Sequence, residues 1–471
     1  MSNLEDIKNN AKSITSTKTE TFIKQLSAKQ KFHIKSSYPT INSINCELWK
    51  GDRCFNFSSG QILPLGPPAK YQNKGYGFED IFELVNDQMT ILVPKGVRSL
   101  QISIGKGFSS TGEIAELISS NLLKESYTRA IIPLSKFSKK PYEHIESKPF
   151  KSESWFRPAG FIELIINKFS INIFDFKINE KKSLIIECNN LIDFSIFEEI
   201  VAGIIYSFGL ISGSLIREEI LYLQYSDCFL QDISGFSYRR VENSHNGFTS
   251  IDPRLFAQVT DSKTLKTYYL TPSVFQNMVN NCIKDSRFLR AIKMITESSV
   301  FPLEIKAATY SVALETLKNI ILEHNSLKTN PFKSKSKASN TIKELKKLIS
   351  AIDDVEFNNK QSVLNKLDQL NQVGNKESFL LTFKLLSIPL SPDDEKCLEN
   401  RNNFLHGKIP FENEAKDKNY KIQHIVYKLH MLLCSLILKY SGYNGFILNN
   451  IKLVDLMYFK KNINEPLLRM I

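Results

Sequence analysis

The spacing of the apolar residues changes near residue 260, and this change constrains the fold more than any other feature. Before it, short apolar runs rich in Ile and Phe alternate with turn residues, a pattern typical of β-strands. The clearest runs are Met89–Pro94, Leu100–Ile104, Phe161–Ile166, Ser170–Phe176 and Ser183–Glu187. Two further segments, Glu113–Glu125 and Phe194–Leu223, have a pattern that predicts helices.

After residue 270, apolar residues recur every three or four positions, which predicts helices. The predicted segments are Ser286–Glu297, Pro302–His324, Thr341–Ile352, Lys360–Val373, Glu377–Ile388 and Asp417–Tyr440. Before the Cys397 region, Ser391, Pro392 and Asp394 form the N-cap, N1 and N3 pattern of a helix start. The tail Gly445–Phe459 predicts a small hairpin that turns at its Asn-Asn pair.

We therefore predict an α+β multidomain chain, in which a β-rich mixed N-terminal domain is followed by an all-α helical bundle. The boundaries are a polar leader over residues 1–36, the β-rich domain over 37–260 and the bundle over 270–471. Hydrophobic residues make up 42% of the 471, which is enough to bury sizeable cores and excludes global disorder.

Cysteine usage and the N-terminus predict a cytoplasmic protein. The seven cysteines are scattered, with no CxxC pair and no His at zinc-finger spacing, so we expect reduced thiols and no structural zinc. The polar start lacks the apolar region of a secretory signal. Ile200–Ile216 is uncharged over 17 residues, but its Gly and Ser content and its acidic flanks favour a buried element. A membrane-linked effector is the weaker alternative.

Basic residues exceed acidic ones by 61 to 49, which favours polyanionic partners. The densest cluster is Lys328–Lys347, which holds seven Lys and one Glu between two predicted helices. As a loop it could bind RNA phosphates without sequence preference, or it could simply be solvated. The lysines that we assign to RNA binding are Lys333, Lys335, Lys337 and Lys343.

The segment CLENRNNFLHGK over Cys397–Lys408 carries the groups that metal-independent RNA cleavage needs. His406 can transfer the proton of the 2′-hydroxyl, and Arg401 can stabilise the charge on the phosphate in the transition state. Asn402 can position either group. One His does not readily serve as both general acid and general base, so a symmetric dimer would supply the second His. A second Arg–His match, Arg240 with His245, is interpreted as a surface loop.

The segment LENRNNFLHGK resembles the signature of HEPN-domain proteins, and most closely the RN-x3-HG form of the ApeA-like HEPN group. Pro302–Leu322 resembles the early HEPN helix that carries an acid in an A-L-E-x-L setting, where the acid is Glu315. The resemblance covers about residues 275–445. It implies that Glu315 faces the catalytic cleft and orients the Arg or the His. It also implies a homodimer through the HEPN domain with a composite active site. His324, His424 and His430 fall outside this pattern and are interpreted as structural or surface residues.

These observations predict a HEPN endoribonuclease that leaves 2′,3′-cyclic phosphate and 5′-hydroxyl ends and needs no metal or cofactor. The resemblance also implies a role in anti-phage defence, abortive infection or toxin-like growth arrest. Structured RNA such as tRNA is the expected substrate, and a phage-derived trigger is expected at the N-terminal domain. The alternative is a non-catalytic HEPN protein that dimerises and binds nucleic acid.

Overall fold

The computed structural model describes residues 17–37, 41–52, 54–61, 81–104, 108–135, 138–151, 156–178, 181–216, 218–241, 245–260, 268–325, 334–368, 370, 375–405, 418–459 and 463–471. The chain forms two compact units, residues 1–285 and 286–471. The first contains a large antiparallel sheet and the second is largely helical, so the predicted α+β class is confirmed.

The first unit is built on a sixteen-stranded sheet. Its strands in chain order are β1 Gln30–Lys35, β2 Asn45–Lys50, β3 Phe55–Ser59, β4 Phe82–Val85, β5 Thr90–Val93, β6 Arg98–Ile104, β7 Phe108–Ile114, β8 Glu116–Ser119, β9 Glu125–Pro133, β10 Lys148–Lys151, β11 Phe156–Ile166, β12 Phe169–Ile178, β13 Lys181–Cys188, β14 Ile192–Asp193, β16 Glu219–Tyr225 and β17 Ile233–Arg240. The spatial order is β10-β11-β12-β13-β9-β16-β17-β8-β5-β4-β1-β2-β3-β7-β6, and β14 pairs with β9. A separate short pair joins β15 Ser214–Leu215 to β18 His245–Asn246.

Within the described part of this unit, four α-helices accompany the sheet: α1 Thr17–Ser27, α2 Phe194–Ser212, α3 Pro253–Thr260 and α4 Pro272–Lys284. Helix α4 packs on α2 and β11, so it lies in the first unit and not in the bundle that the periodicity favoured. The contact with α2 is close, because a Cβ at Gly203 would come within 3.2 Å of Val279.

Two helix predictions in the first unit are wrong. Glu113–Glu125 spans the end of β7, β8 and the start of β9, because pairing with neighbouring strands overrides its apparent helical spacing. Helix α2 ends at Ser212 and not at Leu223. Gly213 adopts a left-handed conformation with φ of 68°, and its N–H donates to Gly209 O, which closes the helix.

Helix α2 contains most of the uncharged segment of the sequence analysis. Among the described helices it alone is long and apolar enough to cross a membrane, and 72% of its most apolar window is buried within the protein. That burial accounts for its composition. All seven cysteines are free, and only Cys228 is exposed.

A buried ion pair lies inside the sheet. Arg129 on β9 and Glu187 on β13 are both fully buried, and Arg129 Nη2 donates to Glu187 Oε2 at 2.8 Å. Arg129 Nη1 also donates to the Tyr225 hydroxyl at 3.3 Å, and Asn172 Nδ2 donates to Glu187 Oε1 at 3.2 Å. These hydrogen bonds offset the cost of burying two charges.

The second unit comprises eight helices and a short strand pair within its described residues. They are α5 Ser286–Glu297, α6 Leu303–His324, α7 Lys335–Ala351, α8 Lys360–Asp368, α9 Asn375–Leu385, α10 Pro392–Leu405, α11 Lys418–Tyr440, α12 Asn450–Val454, β19 Phe446–Leu448 and β20 Leu468–Met470. Helix α6 is central, because α5, α9, α10 and α11 all pack against it.

The tail differs from the predicted hairpin. Asn449 does not form a turn but caps α12, and its side chain accepts from the N–H groups of Ile451 and Lys452. Strand β19 pairs instead with β20 near the end of the chain. A side chain that can cap a helix or form a turn cannot be assigned from a dipeptide alone.

Candidate active site

Helix α10, which carries Arg401, begins with the predicted capping arrangement. The Ser391 N–H donates to Asp394 Oδ2 at 2.8 Å, and the Asp394 N–H donates to Ser391 Oγ at 3.2 Å. This reciprocal pair satisfies N–H groups that the helix itself leaves unpaired, and so fixes where the helix starts. The helical periodicity then directs Cys397 and Arg401 inward, and both are buried.

The structure brings Arg401 and Glu315 together. Arg401 Nη2 donates to Glu315 Oε1 at 2.9 Å, across the contact between α10 and α6. The Arg401 side chain is 2% exposed and that of Glu315 is 27% exposed, so the carboxylate is the more accessible member. Lys318 Nζ donates to the other carboxylate oxygen, Oε2, at 2.6 Å. Glu315 therefore bridges two cations and leaves a net positive charge.

An aromatic ring from α9 completes the cluster. The Arg401 guanidinium carbon lies 3.8 Å from the Phe379 ring centroid, and Lys318 Nζ lies 4.7 Å from it. Both cations thus face one buried ring, an arrangement that stabilises desolvated positive charge. Burial lowers the pKa of the Arg401 guanidinium, and the charge of Glu315 opposes that shift. Sequence reasoning missed Phe379 and Lys318; the cation at 318, one turn after Glu315, was the available signal.

The other predicted site residues are described only in part. His406 and Lys333 lie outside the described residues. Asn402 belongs to α10 by its backbone, but its side chain lies outside the described part. The proximity of His406 to Arg401 therefore stays a prediction.

The described part of the lysine cluster, residues 334–347, is helical from Lys335 onwards and not the loop that the sequence predicted. Helix α7 begins at Lys335, after the N-cap Ser334, whose hydroxyl accepts from the Lys337 N–H. Lys337 and Lys343 are exposed on this helix. Six residues on a helix correspond to a rotation of about 240°, so these two lysines point to different sides. They do not form one continuous phosphate-binding face.

Two further histidines have partners that the sequence did not indicate. His424 Nε2 lies 2.9 Å from Asp393 Oδ2. The hydrogen bond from His424, aided by Lys428, lowers the pKa of Asp393 to about 2. His430 is buried, with its ring nitrogens 3.7 and 3.8 Å from Cys434 Sγ, and burial lowers its pKa to about 3. The second Arg–His match differs from the predicted surface loop, because both of its residues lie in strands: Arg240 ends β17 and pairs with Glu113 at 2.6 Å, and His245 lies in β18.

Neither metal-ligand clusters nor similarity to known proteins identifies a function for this chain. Among the described residues, no group of three or more His, Cys, Asp or Glu side chains is placed to hold a metal ion. No family model matches the chain, and no curated protein and no solved structure matches it either.

Proposed function

We propose that residues 286–471 form a metal-independent endoribonuclease of the HEPN type. The observation that supports this proposal is the ion pair between Glu315 and Arg401. Glu315 and Arg401 come from the two segments whose sequences carry the HEPN resemblance. If the two segments act together, these side chains have to meet. A chance match to the Arg–His spacing alone would give no reason for Arg401 to contact Glu315 on α6.

In the proposed reaction, His406 accepts the proton of the RNA 2′-hydroxyl, which attacks the adjacent phosphate. Arg401 stabilises the added negative charge, and Asn402 positions the phosphate. Glu315 orients Arg401 before RNA binds. Because Lys318 holds the second oxygen of Glu315, the carboxylate stays paired when Arg401 exchanges it for phosphate. The bond between phosphorus and the 5′-oxygen breaks, and a second His406, supplied by the other copy of a homodimer, protonates the leaving 5′-oxygen. The products are a 2′,3′-cyclic phosphate and a 5′-hydroxyl.

We further propose a cytoplasmic role in phage defence or toxin-like growth arrest. Single-stranded loops of structured RNA expose the phosphates and 2′-hydroxyls that such a site can reach, so tRNA loops are the first substrate to test. The β-rich unit would respond to a phage-derived trigger. The charge distribution favours RNA at the helical unit, which has 28 Lys and Arg against 19 Asp and Glu.

The experiment is mapping of RNA ends in cells that express wild type, His406→Ala or the matched control His324→Ala. It is run with and without phage challenge at equal protein levels. New 5′-hydroxyl ends in wild type and in His324→Ala, but not in His406→Ala, are expected. Ends that persist in His406→Ala would remove His406 from the chemistry, and identical maps in all three would contradict the nuclease.

The second candidate function is a non-catalytic HEPN module that binds nucleic acid. The burial of Arg401 favours it, because a 2% exposed guanidinium paired with a carboxylate also suits a structural role. This candidate predicts salt-dependent RNA binding that His406→Ala leaves intact, without new RNA ends under any condition.

A further inference from the structure

Helices α7 and α8 form a two-helix arm, defined here as residues 335–368. The helices are antiparallel, because Lys346 Nζ lies 2.7 Å from Asp368 Oδ2 near the end of α8, whereas Lys360 Nζ at its start donates to Ser350 O at 2.9 Å. They pack mainly against each other. The tip of the arm is the connection around residues 352–359, and the root is the beginning of α7.

This arm leaves its apolar face largely uncovered. Helix α8 has no buried residue, Leu348 on α7 is 64% exposed and Ile352 is 40% exposed. Further apolar side chains of the arm are only half-buried: Ile342, Leu345, Ile349, Val363, Leu364 and Leu367. Two helices cannot enclose a core between them, so a face of this kind is stable when another surface covers it.

Charge is distributed unevenly along the arm. Asp353, Asp354 and Glu356 make the tip acidic, and of these Asp354 pairs with Lys360 at 2.9 Å. Asp353 and Glu356 are exposed. The root is basic, because the sequence places Lys335 and Lys337 there, and the Lys337 side chain is exposed.

We propose that the arm of a second copy of this chain covers this face, in an antiparallel four-helix arrangement. A twofold axis places each acidic tip beside the basic root of the other arm, so the same charge complementarity occurs twice. Helix α7 is about 25 Å long, which is enough for the apolar faces of the two arms to overlap between tip and root. The inference goes beyond RNA cleavage and does not depend on it.

The first test is sedimentation velocity of the full chain over a wide range of concentration. The variants are Leu348→Glu and the matched control Leu456→Glu, an exposed leucine of the same unit outside the arm. Wild type and Leu456→Glu are expected to dimerise. Leu348→Glu should dimerise roughly a hundredfold more weakly, because it buries a charge in an apolar interface. Circular dichroism and thermal unfolding check that every variant is folded.

The second test exchanges the charges. One variant combines Lys335→Glu with Lys337→Glu, and the other combines Asp353→Lys with Glu356→Lys. Each alone is expected to lose self-association, and an equimolar mixture is expected to recover a heterodimer. A wild-type monomer at every concentration, or a mixture that fails to associate, would overturn the proposal. So would a monomer that sediments with anionic phospholipid vesicles, which would make the arm a lipid-binding surface.

The two proposals fail independently. One outcome is a wild type that dimerises, that Leu348→Glu weakens, and that produces no 5′-hydroxyl RNA ends. This outcome would contradict the nuclease and support the arm interface. RNA cleavage by a wild-type dimer that Leu348→Glu does not weaken would support the nuclease and contradict the arm interface.

Discussion

Glu315 and Arg401 are 86 positions apart in the sequence, yet Glu315 Oε1 accepts a hydrogen bond from Arg401 Nη2 at 2.9 Å. The contact joins the middle of α6 to the third turn of α10. Because Arg401 is buried, its positive charge needs compensation by Glu315 more than the charge of a surface arginine needs a partner. The position of α10 and the charge of the candidate site are therefore linked.

Glu315→Gln is expected to lower the free energy of unfolding by about 2–3 kcal/mol, because it leaves the buried Arg401 without a compensating charge. Urea unfolding of the full chain measures this. Glu323→Gln is the control: it lies on the same helix and pairs with Arg287, but both side chains are about half exposed. Its expected cost is below about 1 kcal/mol. Equal costs for the two variants would show that the Glu315 pair is no stronger than a surface pair.

Phe379→Leu is expected to destabilise the protein by about 1–2 kcal/mol, since the ring faces Arg401 and Lys318. A double-mutant cycle with Arg401→Met isolates the aromatic contact from general packing. We expect a coupling of about 1 kcal/mol. Additive losses in the double variant would show that the ring acts only as core volume.

The start of α10 provides a graded comparison. Ser391→Ala removes one capping hydrogen bond and is expected to cost about 1 kcal/mol. Asp394→Asn should cost about 3 kcal/mol or more, because Asp394 also faces the buried Lys428 at 2.9 Å and Arg469 at 2.7 Å. Burial alone would raise the pKa of Asp394, but these cations and the cap hold it below its usual value. Differential scanning calorimetry should rank the variants in this order, and the reverse order would contradict the account.

His430 should make the protein less stable in acid. Burial lowers its folded pKa to about 3, whereas the unfolded value is 6.5, so the unfolded chain binds the proton first. The contribution of the neutral imidazole to the free energy of unfolding is complete above pH 6.5 and is lost as the pH falls towards 3. Among the described residues, Lys306, Tyr310 and Cys434 are titratable groups that face it. Unfolding free energies measured against pH should fall less steeply in His430→Phe than in wild type below pH 6.5.

The control for that profile is His324→Phe, at the exposed end of α6. It should follow the wild-type slope. If His430→Phe also follows the wild-type slope, the buried imidazole takes up its proton in the folded state as readily as in the unfolded one.

The sequence predicted those elements whose apolar residues repeat over several turns. Ser286–Glu297 and the helix ending at His324 have the expected bounds, because one face of each packs on the bundle core. The segment Glu113–Glu125 failed because strand pairing at long sequence distance decides its structure. At the candidate site, Glu315 contacts Arg401, which the resemblance implied that it orients, whereas the common cleft of Arg401 and His406 stays a prediction. Phe379 and the Asp393–His424 pair could not be foreseen, since no local pattern states which helices become neighbours.

The buried pair of Arg129 and Glu187 also affects how this sequence can evolve. Replacing either residue alone leaves an uncompensated charge inside the sheet at a cost of about 3–5 kcal/mol, a large share of the 5–15 kcal/mol that keeps typical domains folded. Single-step descendants with one substitution are therefore selected against, whereas joint replacement by apolar residues is tolerated. Among descendants of this chain, the two positions should covary, so that loss of the arginine accompanies loss of the glutamate.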